Sequence, residues 1–145
     1  MKLTKDWICG FVEGEGTFCV SITQTLTKKE GSKQVRLYFK VTQHKKNIQV
    51  LYALKAFFGV GLVKSQTKDD SVWEFSISRF EHLDKIIIPF FVANTLHTSK
   101  KFDFLRFRKV ALLMNRGEHL TEDGLAMIEK IRHRMNTTVC IIEEE

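Results

Sequence analysis

The chain has 145 residues, with 23 Lys and Arg against 17 Asp and Glu, and a net charge of +6. This length predicts one domain over residues 1–145, large enough for its own core, and the charge favours a polyanionic partner. Its 3 cysteines (Cys9, Cys19 and Cys140) lack the spacing of a zinc site or a disulfide framework, which indicates a reducing compartment. No apolar leader or spanning run is recognisable, so we expect no membrane partner and a protein that works where it is made.

The first predicted element is a helix over about residues 4–15, followed directly by a strand. Its end reads Ile8-Cys9-Gly10-Phe11-Val12-Glu13-Gly14-Glu15-Gly16-Thr17-Phe18. Gly10 and Gly14 fall on one helix face, where small residues let another backbone approach closely. Glu15 falls at the helix C-terminus, where the dipole disfavours an anion and a nearby cation relieves the conflict. An ordinary glycine cap leading into a strand is the alternative interpretation.

Two alternating segments predict a hairpin after this helix. Residues 17–25 place Phe18, Val20 and Ile22 on one face and polar side chains on the other. A polar loop at 28–33 leads to a second strand around residues 36–42, whose outward face is basic and aromatic.

The remaining pattern predicts a further helix, a second hairpin and C-terminal helices at about 100–136. The helix begins at Asn47, an N-cap candidate, and ends at Gly59 and Gly61. The hairpin has a charged loop at 66–71 and a strand around 73–77. Helices are predicted over 80–91, stopping around Pro89, over 101–114, and from Thr121 onward. We therefore expect an α+β domain with four antiparallel strands, helices on one face and water on the other.

The open face of this sheet is expected to be polar and basic. Arg and Lys on a two-stranded ribbon can enter a DNA major groove and contact guanine edges or phosphates. A solvated sheet face without a partner has a similar composition, and Glu74 is unfavourable there, although a carboxylate can accept from cytosine. A strand of about eight residues spans about 26 Å, so one copy reads only a half-site. The candidate DNA-binding residues are Ser21, Thr23, Arg36, Tyr38, Lys40, Lys64, Gln66, Lys68 and Ser76.

The segment from Ile8 to Phe18 resembles the LAGLIDADG motif of homing endonucleases and the related intron maturases. The resemblance continues to Glu118-His119-Leu120-Thr121-Glu122-Asp123-Gly124-Leu125 and Met135-Asn136. It implies the family's fold, a four-stranded antiparallel saddle sheet in the order α-β-β-α-β-β-α-α. It also implies an organelle-encoded protein of a mitochondrion or chloroplast.

In the family, the final acid of the motif binds metal and the other acid is structural. The resemblance thus implies Glu15 and Gly14 as metal contacts and Glu13 as the structural acid. Phosphodiester hydrolysis needs a nucleophilic water and charge neutralisation, which Mg²⁺ or another divalent cation such as Mn²⁺ provides. One carboxylate supplies too few ligands, so DNA phosphates and the partner's Glu15 must complete the site. The single motif implies a homodimer whose helices pack through Trp7, Gly10, Phe11 and Gly14.

Two further catalytic assignments follow from the resemblance. Lys100 matches a basic residue that organises water near the scissile phosphate, with Lys101 as the alternative register. A solvent-facing lysine at a helix start is the other interpretation. Gln43 matches a water-positioning residue. The alternative is a glutamine at a strand end that contacts a phosphate or has no contact at all.

The sequence therefore predicts a site-specific homing DNA endonuclease of the intron-encoded type. We expect it to make a double-strand break in a long, near-palindromic site by metal-dependent hydrolysis. An RNA-splicing maturase and a non-cleaving, sequence-specific DNA-binding protein of the same fold are alternatives, because a fold does not establish chemistry. A further alternative is that the chain is one half of a longer two-motif protein. The helical ending and the absence of a linker argue against it.

Overall fold

A computed structural model describes residues 1–24 and 33–135 of the chain. Thr25, most of the loop predicted at 28–33, Asn136 and Cys140 lie outside the described residues. The regular elements are α1 (Lys5–Glu15), β1 (Gly16–Gln24), β2 (Lys33–His44), a 3₁₀ turn (Lys45–Asn47), α2 (Ile48–Phe58), β3 (Leu62–Ser65), β4 (Val72–Ile77), α3 (Phe80–His82), α4 (Ile88–Ala93), α5 (Lys100–Asn115), a 3₁₀ turn (Glu118–Leu120) and α6 (Glu122–Arg134). The predicted α+β class is confirmed, and no described helix is long and apolar enough to cross a membrane.

Helix α1 is defined at both ends by local chemistry. The Thr4 side chain caps its start by accepting a hydrogen bond from the Trp7 backbone N–H at 3.2 Å. At its end Gly16 has φ −86° and ψ 159°, an extended conformation rather than a left-handed glycine cap. A Cβ at Gly16 would lie 2.7 Å from Cγ1 of Val12. Lack of space, and not positive φ, therefore explains the glycine between α1 and β1.

The four strands form one antiparallel sheet in the order β1-β2-β4-β3. Strand alternation directs one face toward the helices, and Phe18 is fully buried at the centre of that face. Its ring lies 5.3 Å from the rings of Phe39, Phe104 and Phe107, measured between centroids. This aromatic cluster packs the helices on one face, and no helix among residues 1–24 and 33–135 covers the other, as predicted.

The helical run after β4 continues past the predicted stop at Pro89. A π-helical turn (Leu83–Ile87) joins α3 to α4, and the Ile88 N–H bonds to the carbonyl of Leu83. Pro89 lies in the first turn of α4, directly after the π-helical turn, and its missing N–H removes one donor from the run without ending it. The chain stays helical to Ala93, two residues beyond the predicted range, and α5 and α6 follow among the described residues, as predicted.

Helix α6 is tied to the first hairpin. Glu129 accepts a hydrogen bond from Lys33 Nζ at 2.9 Å, and Nε of Arg132 donates to the carbonyl of Val20 at 3.0 Å. At the start of α6 the backbone N–H of Gly124 donates to the Thr121 hydroxyl at 3.0 Å. A Cβ at Gly124 would lie 1.8 Å from the Glu118 carbonyl oxygen, so this close approach requires glycine.

Candidate active site and nucleic-acid interface

The C-terminal end of α1 presents an exposed carboxylate. Glu15 is the last residue of the helix, and both Glu15 and Gly14 are exposed. Within residues 1–24 and 33–135, no three His, Cys, Asp or Glu side chains are grouped so that they could hold a metal ion. A carboxylate and a backbone carbonyl are hard oxygen donors, which suit Mg²⁺ when phosphates and water supply the remaining ligands. The donor set therefore fits Mg²⁺ but is incomplete within one copy of the chain.

Lys100 lies beside this helix end. It is the first residue of α5, it is partly buried, and its ammonium donates a hydrogen bond to the carbonyl of Gly16. Gly16 directly follows Glu15, so the structure brings a positive charge to the first peptide group of β1, next to the end of α1. This contact belongs to Lys100 and not to Lys101, the alternative register.

Glu13 holds the loop that precedes α5. Its Oε1 accepts hydrogen bonds from the Thr98 backbone N–H at 2.8 Å and from the Thr98 hydroxyl at 2.7 Å. The His97 N–H lies 3.1 Å from both carboxylate oxygens. Burial alone raises the pKa of Glu13, but the hydrogen bonds from Thr98 and His97 outweigh it and hold the pKa below its usual value. These contacts are those of a structural acid.

We expect Glu13→Gln to destabilise the fold at neutral pH by about 1 to 2 kcal/mol, because an amide accepts the three N–H and O–H bonds less strongly. The folded pKa of Glu13 is depressed, so its stabilising contribution is present above the unfolded pKa of about 4.3 and is lost as pH falls through the folded pKa. Urea unfolding at pH 7 and at about pH 3 measures both quantities. Equal destabilisation at the two pH values would contradict the pairing, and Glu122→Gln, at an exposed carboxylate, is the control.

Gln43 is held by the start of α2 rather than by the catalytic candidates. Its Oε1 accepts a hydrogen bond from Nδ2 of Asn47 at 3.1 Å, whereas Asn47 makes no side-chain capping bond to α2. The strand register places Gln43 two residues beyond Val41, the partner of Gly16. Asn47 occupies the predicted N-cap position without the predicted bond, and the described hydrogen bonds of Gln43 do not reach Glu15 or Lys100.

Most of the predicted DNA-binding residues share the face of the sheet that carries no helices. The register pairs Ser21 with Arg36 across β1 and β2, and Lys40 with Ser76 across β2 and β4. Nζ of Lys40 lies 5.0 Å from the centroid of the Tyr38 ring, a cation–π contact that fixes the lysine over the sheet. The residues on this open face are Ser21, Thr23, Arg36, Tyr38, Lys40, Lys64 and Ser76.

Gln66 and Lys68 lie beyond the end of β3, in the loop that leads to β4. Asp69 organises this loop by accepting hydrogen bonds at 2.7 Å from the hydroxyls of Thr67 and Ser71. These bonds, from Ser71 first and then Thr67, lower the pKa of Asp69 to about 2. Lys68 is therefore carried by an ordered loop at the margin of the open face rather than by the strand itself.

Glu74 also faces the open side, yet it is only 8% exposed. The register places it between Thr42 on β2 and Lys64 on β3, whose side chains flank it. Glu74, Lys64 and Arg79 line a concave cleft of about 320 Å³ with Tyr38 and other residues. The cleft puts an acceptor among donors, which is an arrangement suited to reading base edges.

The outward face of α1 is partly open, although Phe11 on this face also packs against the core. A Cβ at Gly10 or Gly14 would meet no atom within 4 Å. Trp7 is 42% exposed and stacks on Phe11, with 4.8 Å between ring centroids. The four residues follow helical spacing, so two small residues and an aromatic pair form one continuous stripe.

Sequence reasoning missed Thr98 and Arg79. Thr98 looks like an ordinary residue before a helix, and its bond to Glu13 joins residues 85 positions apart. Only the His97-Thr98-Ser99-Lys100 context, which drew attention to Lys100, gave a local signal. Arg79 comes two residues after the end of β4. A basic residue at that place in the sequence could have indicated that the basic face continues beyond the strand.

Comparison with known proteins agrees with this architecture. The LAGLIDADG endonuclease family model matches residues 8–111. "Probable intron-encoded endonuclease 2" of Neurospora crassa is 32% identical over 130 residues, which are 90% of this chain and 27% of that protein. The crystal structure of the homing endonuclease I-TnaI has a TM-score of 0.87 and 44% identity, over 94% of this chain and 90% of that one. I-SmaMI bound to an uncleaved DNA target in the presence of calcium ions has a TM-score of 0.88 and 38% identity, over 94% of this chain and 46% of that one.

The sheet, the helices on one face and the motif helix form the fold of the homing endonuclease I-TnaI. The chain belongs to the LAGLIDADG endonuclease family. The predicted family and fold are confirmed. The chain spans about a quarter, 27%, of the length of the Neurospora relative.

Proposed function

We propose that this chain is a homodimeric, site-specific homing endonuclease that hydrolyses both strands of a long, near-palindromic DNA site. The observation that carries the proposal is the contact between the Lys100 ammonium and the carbonyl of Gly16, the residue directly after Glu15. A basic surface alone favours DNA binding, whereas an ammonium held at the residue next to an exposed carboxylate favours phosphodiester chemistry.

Glu15 is the proposed metal ligand, together with the carbonyl of Gly14. A bound Mg²⁺ or Mn²⁺ polarises the scissile phosphate, lowers the pKa of an attacking water and neutralises the leaving oxygen. Lys100 adds a positive charge at the same phosphate and orients water there, with its ammonium held by Gly16. The calcium ions in the I-SmaMI complex support a divalent cation for this chain as well.

Gln43 is the proposed water-positioning residue. The bond from Asn47 occupies its Oε1, so the amide Nε2 is left as the group that donates to a water or a phosphate oxygen. The same bond ties the side chain of Gln43 to the residue that precedes α2.

Dimerisation is proposed from the outward stripe of α1. Each copy supplies one exposed Glu15, and a cut in both strands needs two such carboxylates. Packing of two α1 helices through Trp7, Gly10, Phe11 and Gly14 brings both helix ends to the same point. The relatives named after introns of the mitochondrial cox1 gene support an organelle-encoded protein, of a mitochondrion or chloroplast.

Incubation of the protein with a randomised DNA library and Mg²⁺, followed by sequencing of the cut ends, tests the function. We expect cleavage at one site, with short 3′ overhangs at its centre. Binding without cleavage would instead support a non-cleaving DNA-binding protein. A protein that binds only structured RNA would support a splicing maturase.

The open face predicts how salt and sequence affect DNA binding. We expect log affinity to fall with log salt concentration by about 0.9 for each phosphate contact, and Lys68→Ala to reduce that slope by about one contact. Sequence preference should survive Lys68→Ala, because a lysine that contacts only phosphate carries no sequence information. Ala substitutions at the proposed base-reading residues, namely Arg36, Tyr38, Lys40, Lys64 and Gln66, should relax sequence preference. Unchanged cleavage profiles for all five would refute base reading by this face.

A further inference from the structure

Thr98 lies in the short loop before α5, and its hydroxyl is hydrogen-bonded on both sides. The hydroxyl donates to Oε1 of Glu13 at 2.7 Å and accepts from the backbone N–H of Lys100 at 3.3 Å. A threonine hydroxyl has one proton to donate, and that proton is committed to the carboxylate. The hydroxyl therefore joins the motif helix α1 to the first residue of α5.

The same two elements meet a second time. Glu13 lies two residues before the end of α1 and holds Thr98, while the ammonium of Lys100 returns to the carbonyl of Gly16, just past that end. The contacts close a ring that runs from Glu13 through Thr98 and Lys100 to Gly16 and back along the chain. Glu15 lies inside this ring in sequence, between its two attachment points on α1 and β1.

We propose that Thr98 is a positioning residue that sets the place of the Lys100 ammonium relative to Glu15. The inference rests on the proposed nuclease function and assigns Thr98 no contact with DNA. Ser99 occupies the N-cap position of α5 but makes no side-chain capping bond. The Thr98 hydroxyl is thus the side-chain group that restrains the start of α5, from which the long lysine side chain extends.

Loss of this hydroxyl should affect the chemical step more than binding. An ammonium misplaced by about 1 Å costs on the order of 10²-fold in rate, whereas DNA affinity depends on the open face of the sheet. Thr98→Val keeps the branched shape and the backbone N–H bond to Glu13 but removes the hydroxyl. Thr98→Ser keeps the hydroxyl, and Ser99→Ala changes the neighbouring residue, whose side chain does not cap α5.

Single-turnover cleavage at saturating protein, DNA affinity and thermal unfolding should be measured for these three variants. We expect Thr98→Val to cleave about 10- to 100-fold more slowly with affinity changed less than about twofold, and Thr98→Ser and Ser99→Ala to match the unsubstituted chain. In a Lys100→Ala background, already slowed on the order of 10²-fold, Thr98→Val should add nothing. Normal cleavage by Thr98→Val, or additive slowing in the Lys100→Ala background, overturns the inference.

An amide NMR spectrum tests the same inference without cleavage. The Thr17 N–H shares a peptide group with the Gly16 carbonyl, so its resonance reports the bond from Lys100. We expect Thr98→Val and Lys100→Ala to move this resonance in the same direction and Ser99→Ala to leave it in place. If the unsubstituted chain cuts no DNA, the proposed function fails while this spectrum still decides the role of Thr98. An unmoved Thr17 resonance in Thr98→Val refutes the positioning role.

Discussion

Replacing Glu15 by Gln is expected to abolish cleavage while the protein still folds and binds DNA. The amide keeps the size of the side chain but loses the negative charge that holds a divalent cation. Because Glu15 is exposed at the end of α1, the change removes no core contact. DNA affinity should stay constant or rise slightly, since a carboxylate repels phosphate.

A gel-shift assay and a Mg²⁺ cleavage assay on the same preparations measure both effects. Glu122→Gln is the matched control, because it removes an exposed carboxylate from the first turn of α6, away from the motif. A Glu15→Gln protein that cuts at the normal rate removes Glu15 from the active site. A protein that no longer binds DNA shows instead that Glu15 acts through structure.

Replacing Gly10 by Leu should convert the proposed dimer to a monomer and eliminate double-strand cleavage. A Cβ at Gly10 meets no atom within 4 Å, so the leucine side chain begins in open space. Glycine is also a poor helix former, and its replacement should stabilise α1 by up to about 1 kcal/mol. The substitution therefore separates folding from association, because it obstructs only what packs on the outward stripe of α1.

Sedimentation velocity and thermal unfolding together provide the measurement. Ala56→Leu is the control, since it also adds an exposed leucine to a helix but on α2. A Gly10→Leu dimer of undiminished stability would place the interface elsewhere. A chain that is a stable monomer without any substitution, and yet cuts both strands in one encounter, contradicts the homodimer.

Local patterns predicted most of the fold. Strand alternation correctly placed Phe18 on the covered face and Arg36 on the open face, because side-chain direction in a strand has a period of two. The motif located the end of α1 at Glu15. The stop at Pro89 was wrong because the π-helical turn before it depends on packing that residue spacing does not encode.

The site was less predictable because its contacts cross between distant elements. The bond between Thr98 and Glu13 spans 85 positions and leaves no periodic signal. The burial of Glu74 depends on the strand register, which places Thr42 and Lys64 on either side of it. Residue alternation predicts which segments are strands but does not determine how neighbouring strands pair. The roles of Glu15, Lys100 and Gln43 in catalysis stay predictions that the proposed experiments address.

The attachment of Arg132 to the Val20 carbonyl has a consequence for aggregation. β1 and β3 are the edges of the sheet, and unpaired edge carbonyls and amides recruit strands from other molecules. On β1 the guanidinium occupies one such carbonyl and α6 lies alongside. On the other edge β3 runs only from Leu62 to Ser65 and carries Lys64, and both features discourage strand addition. With both edges protected, concentrated protein is expected to resist fibrillar association through its sheet.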